Sequence, residues 1–237
     1  MSGLRCVLLD LDGTLLDTAP DLAFALNAVL TEEGREPLPL ATVRPAVSHG
    51  ARGLIRLGFG EDGEATADRM DRLISIYRKH LADRTRLFDG MAEVLQEVES
   101  QGMTWGVVTN KRRDLTLPLL DRMQLRERAA CVVSGDDTSR NKPHPDPLWL
   151  ACRQAGVDPA HCIYVGDAER DIEAGRRAGM GTVVARYGYL APDARPEGWS
   201  ADALVETPRQ LSRIFRERAS AIQAAEKSKV RKAAGEC

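Results

Sequence analysis

The 237-residue sequence contains no apolar stretch approaching the ~18 to 20 residues that a membrane-spanning helix requires. Its short opening apolar run is broken by Asp10, so neither an anchor nor a secretory leader is expected. Cysteine is scarce and unpatterned. Cys6, Cys131, Cys152, Cys162 and Cys237 are odd in number and lack CxxC spacing, which argues against a disulfide framework or a zinc knuckle. Cys6, Cys131 and Cys162 lie in or beside apolar runs and read as small core residues in a reducing cytoplasm. A large charge of one sign is also missing. At a formal net charge of -2 no global basic field draws the chain onto nucleic acid or an anionic membrane, so any affinity for phosphate must be local.

What is present is globular material, 43% hydrophobic and 29% charged, which excludes a wholly disordered or collagen-like chain. Short β-branched runs alternate with longer amphipathic segments, the rhythm of a parallel sheet with crossover helices. Strands are predicted over Arg5 to Leu11, Thr104 to Thr109, Ala130 to Ser134, Cys162 to Val165, Thr182 to Arg186 and Ala203 to Val205. The first four are nearly all apolar and are expected in the middle of the sheet. Helices are expected over Met91 to Gln101, Pro147 to Ala155 and Glu169 to Ala178, each followed by glycine.

About 90 residues separate the first two strands, where a simple crossover needs only a dozen or more. That stretch reads as helix: Asp21 to Glu33, a Gly-flanked piece near Ala51 to Leu57, and Ala65 to Ala82 with Met70, Leu73, Ile74 and Tyr77 at helical spacing. The organisation expected is therefore a doubly wound α/β core over residues 1–15 and 86–215, a small helical cap over 16–85, and a tail over 216–237 that reads as a frayed helix or a flexible, solvated segment.

In open α/β sheets, ligands bind beyond the carboxyl ends of the strands, so the residues standing there carry the functional reading. The first strand runs into Asp10-Leu11-Asp12-Gly13, the second into Thr109-Asn110-Lys111, and the fourth into Gly166-Asp167 with Asp171 four residues on; Lys142 follows the third. Asp10 and Asp12, one residue apart in extended chain, lie on one side at roughly 7 Å, so one can attack while the other moves a proton. With Asp167 they concentrate three carboxylates, a costly arrangement without a cation, and hard Mg²⁺ suits such oxygen ligands. A divalent cation implies an anionic substrate, and Thr109 with Lys142 supplies donors for its remaining oxygens. Lysine choice supports the placement: only six of 33 Lys and Arg residues are lysines, yet Lys111 and Lys142 both occupy strand-end loops, where a compact ammonium differs from a planar guanidinium.

LDLDGTLLD from Leu9, VVTNK from Val107, KPHPDP from Lys142 and VGDAERD from Val165 together resemble, in order, the four motifs of the haloacid dehalogenase superfamily of phosphohydrolases. The helical insertion falls where one subclass of that family carries its cap, and the likeness extends to bacterial phosphoglycolate and N-acetylmuramic acid 6-phosphate phosphatases. The resemblance implies Mg²⁺-dependent hydrolysis of a small phosphomonoester through an aspartyl-phosphate. Asp10 is then the nucleophile and Asp12 the general acid and base. Asp10, the Asp12 carbonyl and Asp167 hold the metal, with Asp171 behind them. Thr109, Asn110 and Lys142 bind the phosphoryl group. A phosphomutase of the β-phosphoglucomutase type shares most of these motifs and stays open, as does a phospho-receiver module, although its acceptor ends a later strand. In the cap, Arg52 between Gly50 and Gly53 is the candidate for gripping a substrate carboxylate. His49, His80, His144 and His161 show no paired spacing and read as surface or loop residues, with His144 close enough to Lys142 to shape the site.

Overall fold

The computed structural model describes residues 3–60, 63 and 65–235, with side chains through 220 and at 222 and 224. The main sheet is built from β1 (Cys6–Leu9), β4 (Thr104–Val108), β5 (Cys131–Val133), β6 (Cys162–Gly166), β7 (Gly181–Ala185) and β8 (Ala203–Val205). Its order is β5-β4-β1-β6-β7-β8 with every pair parallel. The expected parallel sheet is present, with one correction to its interior. Cys131–Val133 is an edge strand, whereas Gly181–Ala185 is buried throughout and lies between two neighbours. Apolarity reports that both faces of a strand are covered; it carries no information on how many of its edges are paired.

The period of two along β1 divides the core. Val7 and Leu9 join the larger cluster with Leu95 and Val98 of α5 (Met91–Ser100), Leu119 of α6 (Arg113–Arg122) and Phe215 of α9 (Arg209–Gly235). Cys6 and Leu8 face Leu148 and Ala151 of α7 (Asp146–Ala155) and Ala174 of α8 (Glu169–Ala178). Cys6, Cys131, Cys152 and Cys162 are all free and buried, while Cys237 lies outside the described residues. Helix α6 was not anticipated, because Pro118 interrupts its pattern. The segment read as a tail from residue 216 is helical in backbone to Gly235, and Ala219 and Ile222 still pack against the core.

Between β1 and α5 the chain leaves through β2 (Leu16–Asp17) and returns through β3 (Arg86–Leu87), an antiparallel pair that the sequence did not reveal. From it hang α1 (Ala19–Glu32), α2 (Leu40–Val43), a 3₁₀ stretch Arg44–His49, α3 (Gly50–Phe59) and α4 (Thr66–Lys79). Leu26 of α1, Leu54 of α3 and Leu73 of α4 are buried and belong to the larger cluster, so apolar packing runs continuously from these helices to the sheet. Two contacts fix the junction. Arg44 grips Asp17 with paired bonds of 2.8 and 3.0 Å, and the Tyr189 hydroxyl donates to Asp17 at 2.7 Å while accepting from the Ala19 amide. No described helix is long and apolar enough to cross a membrane.

Candidate active site

The carboxyl ends of β1, β4 and β6 meet at one level because the strands are parallel and in register. Asp10 continues β1, its amide donating to the Val165 carbonyl, so its backbone is held against β6 at the strand end. The chain then turns sharply at Gly13, whose φ of +86° disfavours any residue with a Cβ. A methyl group there would also overlap the Asp167 carboxylate, and one at Gly188 would strike both Asp167 and the Gly13 carbonyl. Two missing side chains thus make room around Asp167. Its Oδ2 accepts from the Tyr189 amide at 2.8 Å.

Lys142 is the hub. Its ammonium is wholly buried and reaches Asp10 Oδ1 at 2.9 Å, Asp171 Oδ1 at 2.7 Å, the Tyr164 hydroxyl at 2.7 Å and the Val108 carbonyl at 3.0 Å. Burial alone would drive the ammonium to lose its proton, but Asp10 and Asp171 outweigh it and raise its pKa above the ordinary value. Asn110 holds the loop in place by spending its side-chain amide on the Lys142 backbone in both directions, at 3.1 and 3.2 Å. Asp171, in the first turn of α8, also accepts from the Ala168 amide, so it caps the helix and pairs with Lys142 at once.

Asp10, Asp167 and Asp171 are all buried and each offers an oxygen within 4.8 Å of the others. Burial pushes Asp167 up to about 8, reinforced by the charges of Asp10 and Asp171. Burial also raises Asp10, against the pull of Lys142. A set of hard carboxylate oxygens that repel one another, beside a turn cleared of side chains, fits a hard divalent cation such as Mg²⁺. The Asp12 carboxylate lies outside that cluster. Its two oxygens accept from Lys111 Nζ at 3.0 and 3.1 Å, and Oδ1 also accepts from the Thr18 hydroxyl at 2.6 Å.

Above these loops lies a cavity of about 500 Å³. Of the candidate residues, Asp10, Asp12, Thr109, Asn110 and Lys142 line it, and Asp167 and Asp171 do not. From the insertion, Val47 through Ala51 and Leu73, Ile74 and Tyr77 contribute. Arg52 does not: it is exposed in the first turn of α3 and is not among the lining residues. His49 takes a place there instead, whereas His144 is exposed and away from the cavity. Four residues were missed as members of the site. Tyr164 carried a signal, since a hydroxyl in an otherwise apolar interior strand must find a partner. Lys111 was noticed for its rarity but given no partner. Arg170, which lines the cavity and bonds the Ser48 carbonyl at 2.8 Å, gave no sign in the sequence, and Tyr77 showed only as a member of the apolar stripe of α4.

Residues 7–185 match the family described as haloacid dehalogenase-like hydrolase. The chain belongs to that family. This hydrolase is 41% identical over 214 residues to an N-acetylmuramic acid 6-phosphate phosphatase of Pseudomonas putida, covering 90% of this chain and 96% of that one. It is 43% identical over 208 residues to a phosphoglycolate phosphatase of Xanthomonas campestris, covering 87% and 94%. Among solved structures it is similar to a predicted phosphoglycolate phosphatase from Haemophilus somnus, with a TM-score of 0.79 at 25% identity over 89% of this chain and 97% of that one. The phosphate complex of CbbY from Rhodobacter sphaeroides shares the fold, with a TM-score of 0.71 at 22% identity over 88% and 96%.

Proposed function

We propose that this hydrolase uses Mg²⁺ to cleave a small, carboxylate-bearing phosphomonoester through an aspartyl-phosphate on Asp10, with 2-phosphoglycolate and N-acetylmuramic acid 6-phosphate as leading substrates. The observation that carries the reading is the Lys142 ammonium, with 0% of its side chain exposed, set between Asp10 and Asp171 at the floor of the cavity. Burying such a charge is a poor way to gain stability, but it places a fixed cation where a phosphoryl group meets a nucleophilic carboxylate. Four cationic side chains, Lys111, Arg112, Lys142 and Arg170, line the cavity against two carboxylates, which favours an anionic ligand.

In this mechanism Oδ1 of Asp10 stays with Lys142 and Oδ2 attacks phosphorus. As the phosphorus–ester oxygen bond breaks, Asp12 gives its proton to the departing alkoxide; it then takes one from water, which attacks phosphorus and releases phosphate and the Asp10 carboxylate. Thr109 Oγ1 already accepts from the Lys111 amide, which leaves its own O–H to donate to a phosphoryl oxygen. Asn110, its side chain spent on Lys142, contributes its backbone amide. Mg²⁺, held by Asp10, Asp167 and the Asp12 carbonyl with Asp171 steadying them, would neutralise charge on the transferring group. The core over residues 1–15 and 86–215 supplies this chemistry, and the cap over 16–85 selects the leaving group. The test is a phosphate-release screen of both leading substrates and several sugar phosphates. Net phosphate with Mg²⁺ supports the hydrolase; isomerised sugar phosphate without net release identifies a mutase.

A further inference from the structure

We infer that Tyr77 of the cap and Lys111 of the core together form a subsite for a carboxylate on the leaving portion of the substrate. The inference rests on the phosphatase reading and assigns residues to its second anionic group. Tyr77 is 1% exposed and lines the cavity; among the described residues its hydroxyl makes no hydrogen bond of ordinary length, and the Lys111 ammonium is the charge that faces it. A buried hydroxyl left without a partner costs free energy unless something absent from the protein completes it. The Lys111 ammonium stands 4.6 Å from the centre of the Tyr77 ring, its side chain only 8% exposed. Asp12 takes at most two of its three N–H donors. One O–H and one N–H donor are thus held against the apolar walls of Leu73, Ile74 and Leu115, where water competes weakly for an anion. The subsite also sits next to Asp12, so an occupant belongs to the part of the substrate that leaves with the ester oxygen. Because one donor comes from α4 and the other from the loop after β4, it is complete only with the cap seated.

The experiment compares kcat/KM for two substrate pairs in the Mg²⁺-loaded enzyme: 2-phosphoglycolate against 2-hydroxyethyl phosphate, and N-acetylmuramic acid 6-phosphate against N-acetylglucosamine 6-phosphate. The wild type should prefer the carboxylate member in at least one pair, and Tyr77→Phe should cut that preference roughly tenfold or more, mainly through KM. The pair that responds identifies the source of the carboxylate. Lys111→Met should cut the same preference while lowering turnover generally, since Lys111 also positions Asp12; the ratio rather than the rate is therefore decisive. Loss of the hydroxyl should change Tm little, because it makes no hydrogen bond of ordinary length within the described protein. A wild-type preference that survives Tyr77→Phe unchanged overturns the subsite, as does the absence of any preference in an enzyme that still releases phosphate. Failure to release phosphate from any monoester overturns the phosphatase reading itself.

Discussion

The floor and the roof of the cavity are built on different principles. On the floor, parallel strands in register end at a common level, so a residue's offset from a strand end fixes its place in space. The roof is made of helices held by side-chain packing, and the face each turns to the cavity depends on its tilt and rotation, which hydrophobic spacing does not specify. Substitutions on the floor should therefore strike turnover itself, whereas those in the roof should act mainly on the choice of substrate.

The sharpest test of the floor is Asp10→Asn. The amide is a poor nucleophile and no longer pairs as an anion with Lys142, so turnover should fall by roughly a thousandfold or more, measured as released phosphate. Retention of more than about one per cent of activity would remove Asp10 as the nucleophile. Lys142→Arg should follow with a loss of roughly a hundredfold, although charge is kept. The pocket formed by Asp10, Asp171, Tyr164 and the Val108 carbonyl closes around a compact ammonium, and a planar guanidinium is too wide for it. Near wild-type kinetics for this variant would mean that the buried cation is structural.

Most of these residues were legible in the sequence because they stand directly after an apolar run. Asp10, Thr109 and Asp167 were placed from strand ends and Lys142 from the loop after the third strand; Asp10, Thr109 and Lys142 line the cavity, and Asp167 offers an oxygen within 4.8 Å of Asp10. The β2–β3 pair was not legible, since two residues per strand leave no periodicity to read. Tyr77 was seen, but as one member of an apolar stripe with Leu73 and Ile74; that the same residue lines the cavity beside Lys111 depends on how α4 is rotated. Cys131–Val133 misled for a related reason, as composition cannot report strand order.

A smaller effect separates the carboxylate cluster from the rest of the floor. In the metal-free protein Asp167 keeps its proton up to about 8, through burial and the neighbouring carboxylates, and Mg²⁺ bound as proposed would displace it. Affinity for Mg²⁺ measured by calorimetry should therefore rise about tenfold per pH unit below about 8 and level off above. Stability follows the same proton. The folded metal-free protein holds it more tightly than the unfolded chain, so the contribution is fully present below the ordinary carboxylate pKa and is lost as pH rises to about 8. Added Mg²⁺ should raise Tm most at the alkaline end of that range. A metal affinity independent of pH between 6 and 8 would mean that Asp167 is not the ligand whose proton is displaced.

The smallest effect belongs to the roof. Arg52 is the residue whose chemistry and flanking glycines nominate it for carboxylate binding, yet it sits on the exposed side of the first turn of α3 while Gly50 and Ala51 line the cavity. A helix turn presents successive residues about 100° apart, so a one-residue step from Ala51 is enough to carry a side chain off the cavity face. Arg52→Ala should change kcat/KM by less than about twofold for 2-phosphoglycolate, N-acetylmuramic acid 6-phosphate and p-nitrophenyl phosphate alike, as for an exposed substitution outside the site. A selective rise in KM for the carboxylate-bearing substrates would show that α3 rotates when the substrate is bound, bringing Arg52 inward. The roof would then be an element whose working face is set by the ligand, in contrast to a floor whose geometry is set by the sheet.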